Sequence, residues 1–173
     1  MEAAIVNTLS PGDSVLAITI GAFGDRFANL AEIYGANVKI IRSKLGEAAD
    51  PDKIKSCLND HPDIKAVLVT HNETSSGVTN DLETIAKIVK DDFGKLLLVD
   101  GVSSVGSVPL KTDGWKCDAV ASASQKGWMV PPGLAFVSFS LESWKANSCS
   151  TMPKFYFDLR QYKKYMEIAL FSM

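Results

Sequence analysis

The chain has 173 residues, 46% hydrophobic and 22% charged, with 18 Lys and Arg against 20 Asp and Glu. That length allows one folded unit with a sizeable core, and a formal net charge of −2 points to neither nucleic acid nor an anionic membrane surface. Cys57, Cys117 and Cys149 form an odd, dispersed set, which suits a reducing compartment rather than a disulfide framework.

Met1 to Val6 reads as a helix already in progress and carries no targeting signal. After the turn Ser10-Pro11-Gly12-Asp13, Val15 to Ile20 is predicted as a strand. Phe27 to Tyr34 reads as a helix stopped by Gly35, and Val38 to Ile41 as the next strand. Asp50-Pro51 starts a helix that runs to about Leu58, with proline in its first turn. Lys65 to Thr70 is a strand. Asn80 with Glu83 resembles a capping box opening a helix through Lys90. Lys95 to Val99 is almost wholly apolar, as a central parallel strand should be. Asp118 to Ser122 and Ala135 to Phe139 are short strands around the Pro131-Pro132-Gly133 turn, and Ser140 caps a helix from about Leu141. Phe155 to Leu159 and Tyr162 to Tyr165 are aromatic and basic, with at most a helix there. This alternation predicts an α/β fold of three layers: a mostly parallel sheet with helices on both faces.

No apolar run reaches the length of a membrane span. Asn72-Glu73-Thr74 matches a glycosylation sequon, which without a secretory signal reads as chance. The expected location is cytoplasmic, or an organelle such as the peroxisome or mitochondrion. His61, His71 and the scattered cysteines do not make a metal site. Gly21 and Gly24 lack the third glycine of a dinucleotide fingerprint, and there is no P-loop.

Open parallel sheets bind ligands beyond the carboxyl ends of their strands. Three polar clusters fall at such ends: Thr70 to Val78, Asp100 to Ser104, and Ser122 to Gly127. Within them, Lys126 follows an apolar approach and Asp100 closes the run Leu96 to Val99. A lysine amine can form an imine with an aldehyde, and a strand-end carboxylate can hold a protonated ring nitrogen. Together they suit pyridoxal 5′-phosphate chemistry. Such a lysine attacks as the neutral amine, a form favoured by desolvation, so Lys126 is expected to be buried.

The chain resembles class V of the fold-type I pyridoxal-phosphate aminotransferases, the alanine–glyoxylate and serine–glyoxylate (serine–pyruvate) enzymes in particular. The matching residues are Ser10 to Asp13, Gly21 to Gly24, His71 to Thr74 with Gly77 and Val78, Leu97 to Ser104, and Ser124 to Lys126 with Pro131 to Leu134. The resemblance covers about Glu2 to Leu159. It implies that Lys126 carries the cofactor as a Schiff base and then moves the substrate's α-proton, while Asp100 pairs with the ring nitrogen. Val102 would pack on one face of the ring and Phe23 on the other. Thr74 would bond the ring's phenolic oxygen, and Gln125 and Ser124 would lie near the phosphate. His71 and Glu73 read as structural. The implied substrates are an amino acid and a 2-oxo acid, with a homodimer for the full-length family member. A cysteine desulfurase of the same class is the alternative, but those enzymes usually carry histidine at the position of Gln125.

The resemblance also implies that the family's phosphate-binding loop would precede Met1. Its small domain, with an arginine that clamps the substrate carboxylate, would follow residue 173. On that basis residues 1–150 are expected to be the cofactor-binding large domain and 151–173 the start of the connection to the small domain. The chain is expected to be a truncated, weakly active or inactive piece. The competing expectation is a non-catalytic interaction module whose uncovered apolar surface binds a partner.

Overall fold

The computed structural model describes residues 1–171. The elements in chain order are α1 (Glu2–Thr8), β1 (Ser14–Thr19), α2 (Ala22–Ile33), β2 (Asn37–Arg42), α3 (Pro51–Asp60), β3 (Ala66–Thr70), β4 (Asn72–Glu73), β5 (Val78–Thr79), α4 (Leu82–Ala86), β6 (Leu96–Asp100), β7 (Ala119–Ala123), β8 (Ala135–Phe139), α5 (Leu141–Cys149) and α6 (Leu159–Phe171). A π-helical stretch, Lys87–Asp92, continues α4.

The main sheet has the order β2-β1-β3-β6-β7-β8, with β8 antiparallel to β7 and every other pair parallel. Alternating strand residues feed two cores. Leu16, Ile18, Val67, Val69, Leu97 and Val99 pack with Ile54 and Leu58 of α3 and Leu82 and Ile85 of α4. Val15, Ala17, Leu68 and Leu98 pack with Ile5 of α1 and Phe27, Ala28 and Ala31 of α2 on the opposite face. Burial on both faces is why β3 and β6 read as continuous apolar runs. The three-layer expectation therefore holds.

The order carries a functional consequence. From β1 the chain steps outward to β2, then returns to β3 on the other side of β1. At such a reversal, successive connections leave in opposite directions and open a crevice beyond the strand ends. Phe23, just past β1, and Thr74, beyond β3, flank that reversal.

Some local expectations need correction. α2 begins at Ala22, not Phe27, because its cap comes from a distant turn, described below. Asn80 does not cap α4: the Asp81 carboxylate accepts the Thr84 amide instead. The Asn80 side chain is buried, accepting the Ala49 amide at 2.8 Å and donating to the Thr70 carbonyl at 2.8 Å. Other expectations hold. Asp50 and Ser140 cap α3 and α5, and Gly35 leaves α2 with φ +90°, where glycine meets no Cβ penalty.

Residues 151–158 run without regular structure along α1. Buried Asn7 gathers them: its Oδ1 accepts the Asn147 side-chain amide at 2.9 Å and the Leu159 amide at 3.1 Å, and its Nδ2 donates to the Phe157 carbonyl. None of the helices among the described residues is long and apolar enough to cross a membrane.

Candidate active site

Asp100 ends β6 and lies in register with Thr70 of β3 and Ala121 of β7. It is 4% exposed. Its Oδ1 accepts the Val102 amide at 3.0 Å, and its Oδ2 has only a long 3.4 Å contact from the Thr70 hydroxyl. Burial pushes its carboxyl above the ordinary aspartate value, against smaller opposing effects from the Val102 amide, the Met1 amine and the Thr70 hydroxyl. Burial also lowers the Met1 amine, which feels Asp100 as its main counter-charge.

Lys126 lies in the turn after β7 and is exposed, contrary to the expectation of a buried lysine. Desolvation is therefore not supplied by the described residues around it. Its side chain makes no ion pair or hydrogen bond among the described residues. By contrast, Lys55, Lys65, Lys90 and Lys116 each have an aspartate oxygen within 2.8 Å. The turn is fixed against the Asp100 loop by backbone packing. A Cβ on Gly127 would lie 2.2 Å from the Val105 carbonyl oxygen, and one on Gly106 would lie 2.9 Å from Gly127. Only two glycines permit this approach, so the loops after β6 and β7 act as one piece.

Ser124 is 1% exposed. Its hydroxyl donates to the Pro131 carbonyl at 2.8 Å and accepts the Leu134 amide at 3.3 Å. It holds the proline turn to the start of the lysine turn. Trp128 adds a second clasp, its indole N–H donating to the Ser122 hydroxyl at 3.0 Å. Gln125 is exposed beside Lys126.

Phe23 sits in the first turn of α2, half-buried, with the Arg26 guanidinium 5.0 Å from its ring centre. Val102 is also half-buried, and Thr74 is exposed with no side-chain hydrogen bond among the described residues. The Thr74 turn joins the Val102 loop through Asn72, whose amide donates to the Ser103 hydroxyl at 3.0 Å while that hydroxyl donates to the Asn72 carbonyl at 2.8 Å.

Sequence reasoning missed the Asn72–Ser103 bonds and the Gly127–Val105 approach because their partners lie far apart in the chain. The role of Glu73 was visible only as structural. It is fully buried, and both carboxylate oxygens accept hydrogen bonds. His71 is buried edge-on against Trp115, 6.1 Å between ring centres, and burial lowers its pKa.

The residues fit a pyridine-type cofactor in three respects. A buried carboxylate at the strand ends has spare acceptor capacity. An amine without a counter-ion stands on the adjoining loop. Among the described residues, three buried polar atoms lack a hydrogen-bond partner: Thr19 Oγ1 at the end of β1, His71 Nδ1 just past β3, and Ser104 Oγ in the turn after β6. Among the described residues, no group of three or more His, Cys, Asp or Glu is placed to hold a metal.

The sequence profile of a family described as Aminotransferase class-V matches residues 1–154. A Synechococcus protein called soluble hydrogenase, small subunit, is 48% identical over 166 residues, 95% of this chain and 43% of its own length. The serine–glyoxylate aminotransferase of Methylorubrum extorquens is 40% identical over 172 residues, 94% of this chain and 42% of its own. The crystal structure of an alanine–glyoxylate aminotransferase from Nostoc sp. superimposes with a TM-score of 0.90 at 35% identity, covering 95% of this chain and 44% of that one. This chain spans less than half the length of these relatives.

Proposed function

Because the chain belongs to the class-V aminotransferase family, we propose that its strand-end site is the pyridoxal-phosphate half of a transaminase. The amino group would move from alanine or serine to glyoxylate or pyruvate. When bound, the cofactor supplies an aldehyde for the amine and an electron-withdrawing ring. Lys126 Nζ would bind the aldehyde and, once freed by the incoming amino acid, would take the substrate α-proton and return it to the cofactor carbon. Asp100 would hold the ring nitrogen in its protonated form. Val102 and Phe23 would hold the ring between them, Thr74 would meet its phenolic oxygen, and Gln125 and Ser124 would lie toward the phosphate.

The single observation behind this reading is a buried, under-coordinated carboxylate at the end of β6 and, on the loop after the neighbouring strand β7, an amine without a partner among the described residues, the two loops packing closely at Gly106 and Gly127. Amine chemistry is carried over rather than the hydrogenase name of the Synechococcus relative, because the match to the class-V aminotransferase family spans residues 1–154. Residues 1–150 would serve as the cofactor-binding unit.

Lys126 is exposed in this chain, so we expect weak cofactor retention and little turnover from it alone. The test is near-visible absorbance with excess pyridoxal phosphate, followed by addition of alanine or serine. A slow amine-dependent spectral change in the wild type and none in Lys126→Ala supports the site. Equal responses in both overturn it. Tight retention through dialysis with sustained amino transfer would overturn the weak-binding part.

One observation favours an interaction role as the second reading. Trp128, Met129 and Leu134 are 51%, 89% and 64% exposed, an apolar group that suits a protein contact such as a homodimer. A clean monomer in solution at high concentration would remove it.

A further inference from the structure

The start of α2 has an unusual cap. Its N-cap residue is Gly21, which has no side chain to offer the first amides of the helix. Helix N-termini expose such amides and attract negative charge. Here the cap comes from 50 residues away. Glu73 Oε2 accepts the Phe23 amide at 2.9 Å and the Gly24 amide at 3.1 Å. Its Oε1 accepts the Ser75 amide at 3.1 Å and the Ser75 hydroxyl at 2.7 Å. The Ser75 hydroxyl in turn accepts the Ala22 amide at 3.1 Å, and Ser76 Oγ donates to the Ile20 carbonyl at 3.2 Å.

The fit is close. A Cβ on Gly21 would stand 2.5 Å from Glu73 Cγ and 2.5 Å from Ser75 Oγ. A carboxylate is required chemically, because both oxygens accept and neither donates; an amide in its place would turn one side toward N–H groups with N–H of its own. Phe23 is one of the residues whose amide is held. Thr74 lies between Glu73, which holds the Phe23 amide, and Ser75, which holds the Ala22 amide. The bonds therefore join the two ring-contacting positions across the sheet reversal.

We propose that Glu73 is a positioning residue, a buried carboxylate that yokes the start of α2 to the turn after β3 and so fixes Phe23 and Thr74 relative to each other. The proposal rests on the reading of the site as a pyridoxal-phosphate site. Glu73 does not touch the cofactor. It acts through the two residues that do.

The test compares Glu73→Gln in two backgrounds, the wild type and the Phe23→Ala/Thr74→Ala double variant, with pyridoxal 5′-phosphate as the probe. In the wild type, Glu73→Gln should weaken binding about tenfold, the size expected for losing hydrogen bonds to a charged group. In the double variant the same change should have almost no effect, because the contacts it serves are gone. Amide hydrogen exchange should quicken at Phe23, Gly24 and Ser75 in Glu73→Gln. Ser75→Ala is the milder companion should Glu73→Gln not fold. It removes the Ala22 and Glu73 contacts of one hydroxyl and should weaken binding about threefold with the same dependence on background.

An equal loss of affinity in both backgrounds would overturn the proposal, since that is what a general loss of stability does. So would unchanged affinity despite faster exchange. Failure of the functional reading looks different: the wild type itself would bind no cofactor at Lys126. That result overturns the positioning role too, while unchanged exchange in Glu73→Gln would overturn the yoke alone.

Discussion

Two buried aspartates on neighbouring strands, Asp118 and Asp100, meet opposite surroundings. Asp118 stands just before β7, 1% exposed. Its Oδ2 accepts from Lys90 Nζ at 2.5 Å and the Leu97 amide at 2.8 Å, and its Oδ1 accepts the Ser140 hydroxyl at 2.8 Å. Asp100, at the far end of β6, has one good hydrogen bond and one long one. Neither carboxylate can be distinguished from the other by residue type or by burial. The number of donors around each separates them. A saturated carboxylate holds the fold together, and a poorly satisfied one at the strand ends is available to a ligand.

The largest expected effect lies on the saturated side. Asp118→Ala leaves Lys90, only 12% exposed, without its partner, and removing one member of a buried pair costs about 3–5 kcal/mol. Urea unfolding should show that loss; a change under 1 kcal/mol would mean the pair is not stabilising as placed. Next is Gly127→Ala. The added methyl cannot be accommodated 2.2 Å from the Val105 carbonyl, and relief by moving the loop should cost about 1–3 kcal/mol. It should also displace Lys126, so cofactor binding should fall by more than stability does. Ser140→Ala removes both a helix cap and a donor to Asp118, and about 1 kcal/mol is expected in a thermal or urea melt.

The smallest stability effect belongs to Asp100→Asn, and its sign is the sharpest test of the contrast. Burial raises the Asp100 pKa in the folded chain, so the folded state binds the proton more tightly than the unfolded state. Stability then falls as pH rises from the ordinary aspartate range through the raised value, and it stays lower above that window. The asparagine oxygen keeps the Val102 bond without the buried charge. Without cofactor, Asp100→Asn should therefore equal or exceed the wild type in stability at neutral pH and lose the downward step seen on raising the pH. It should still bind cofactor more weakly. A destabilised variant in cofactor-free urea melts would place Asp100 with Asp118.

The layered sheet was legible in the sequence because β3 and β6 bury both faces and read as unbroken apolar runs. Asp50 and Ser140 were legible as caps because they bond amides within three residues. The places of Asp100 at the end of β6 and Lys126 in the turn after β7 were legible from the apolar strands that precede them. Their surroundings were not. The early start of α2 depends on Glu73, and the docking of the lysine turn depends on Gly106 meeting Gly127; both are contacts between segments far apart in the chain. The exposure of Lys126 also escaped sequence reasoning, because an apolar approach buries a strand and not the turn that follows it. Asn80 shows the reverse error: a side chain with capping chemistry was taken by stronger buried partners, Ala49 and Thr70.

The most direct measurement is reduction with borohydride after incubation with pyridoxal 5′-phosphate, followed by peptide mapping. The account predicts one dominant adduct, on Lys126, diminished in Asp100→Asn and absent at that site in Lys126→Ala with no other lysine taking its place. Adducts spread over the exposed lysines, or undiminished total labelling in Lys126→Ala, would contradict it.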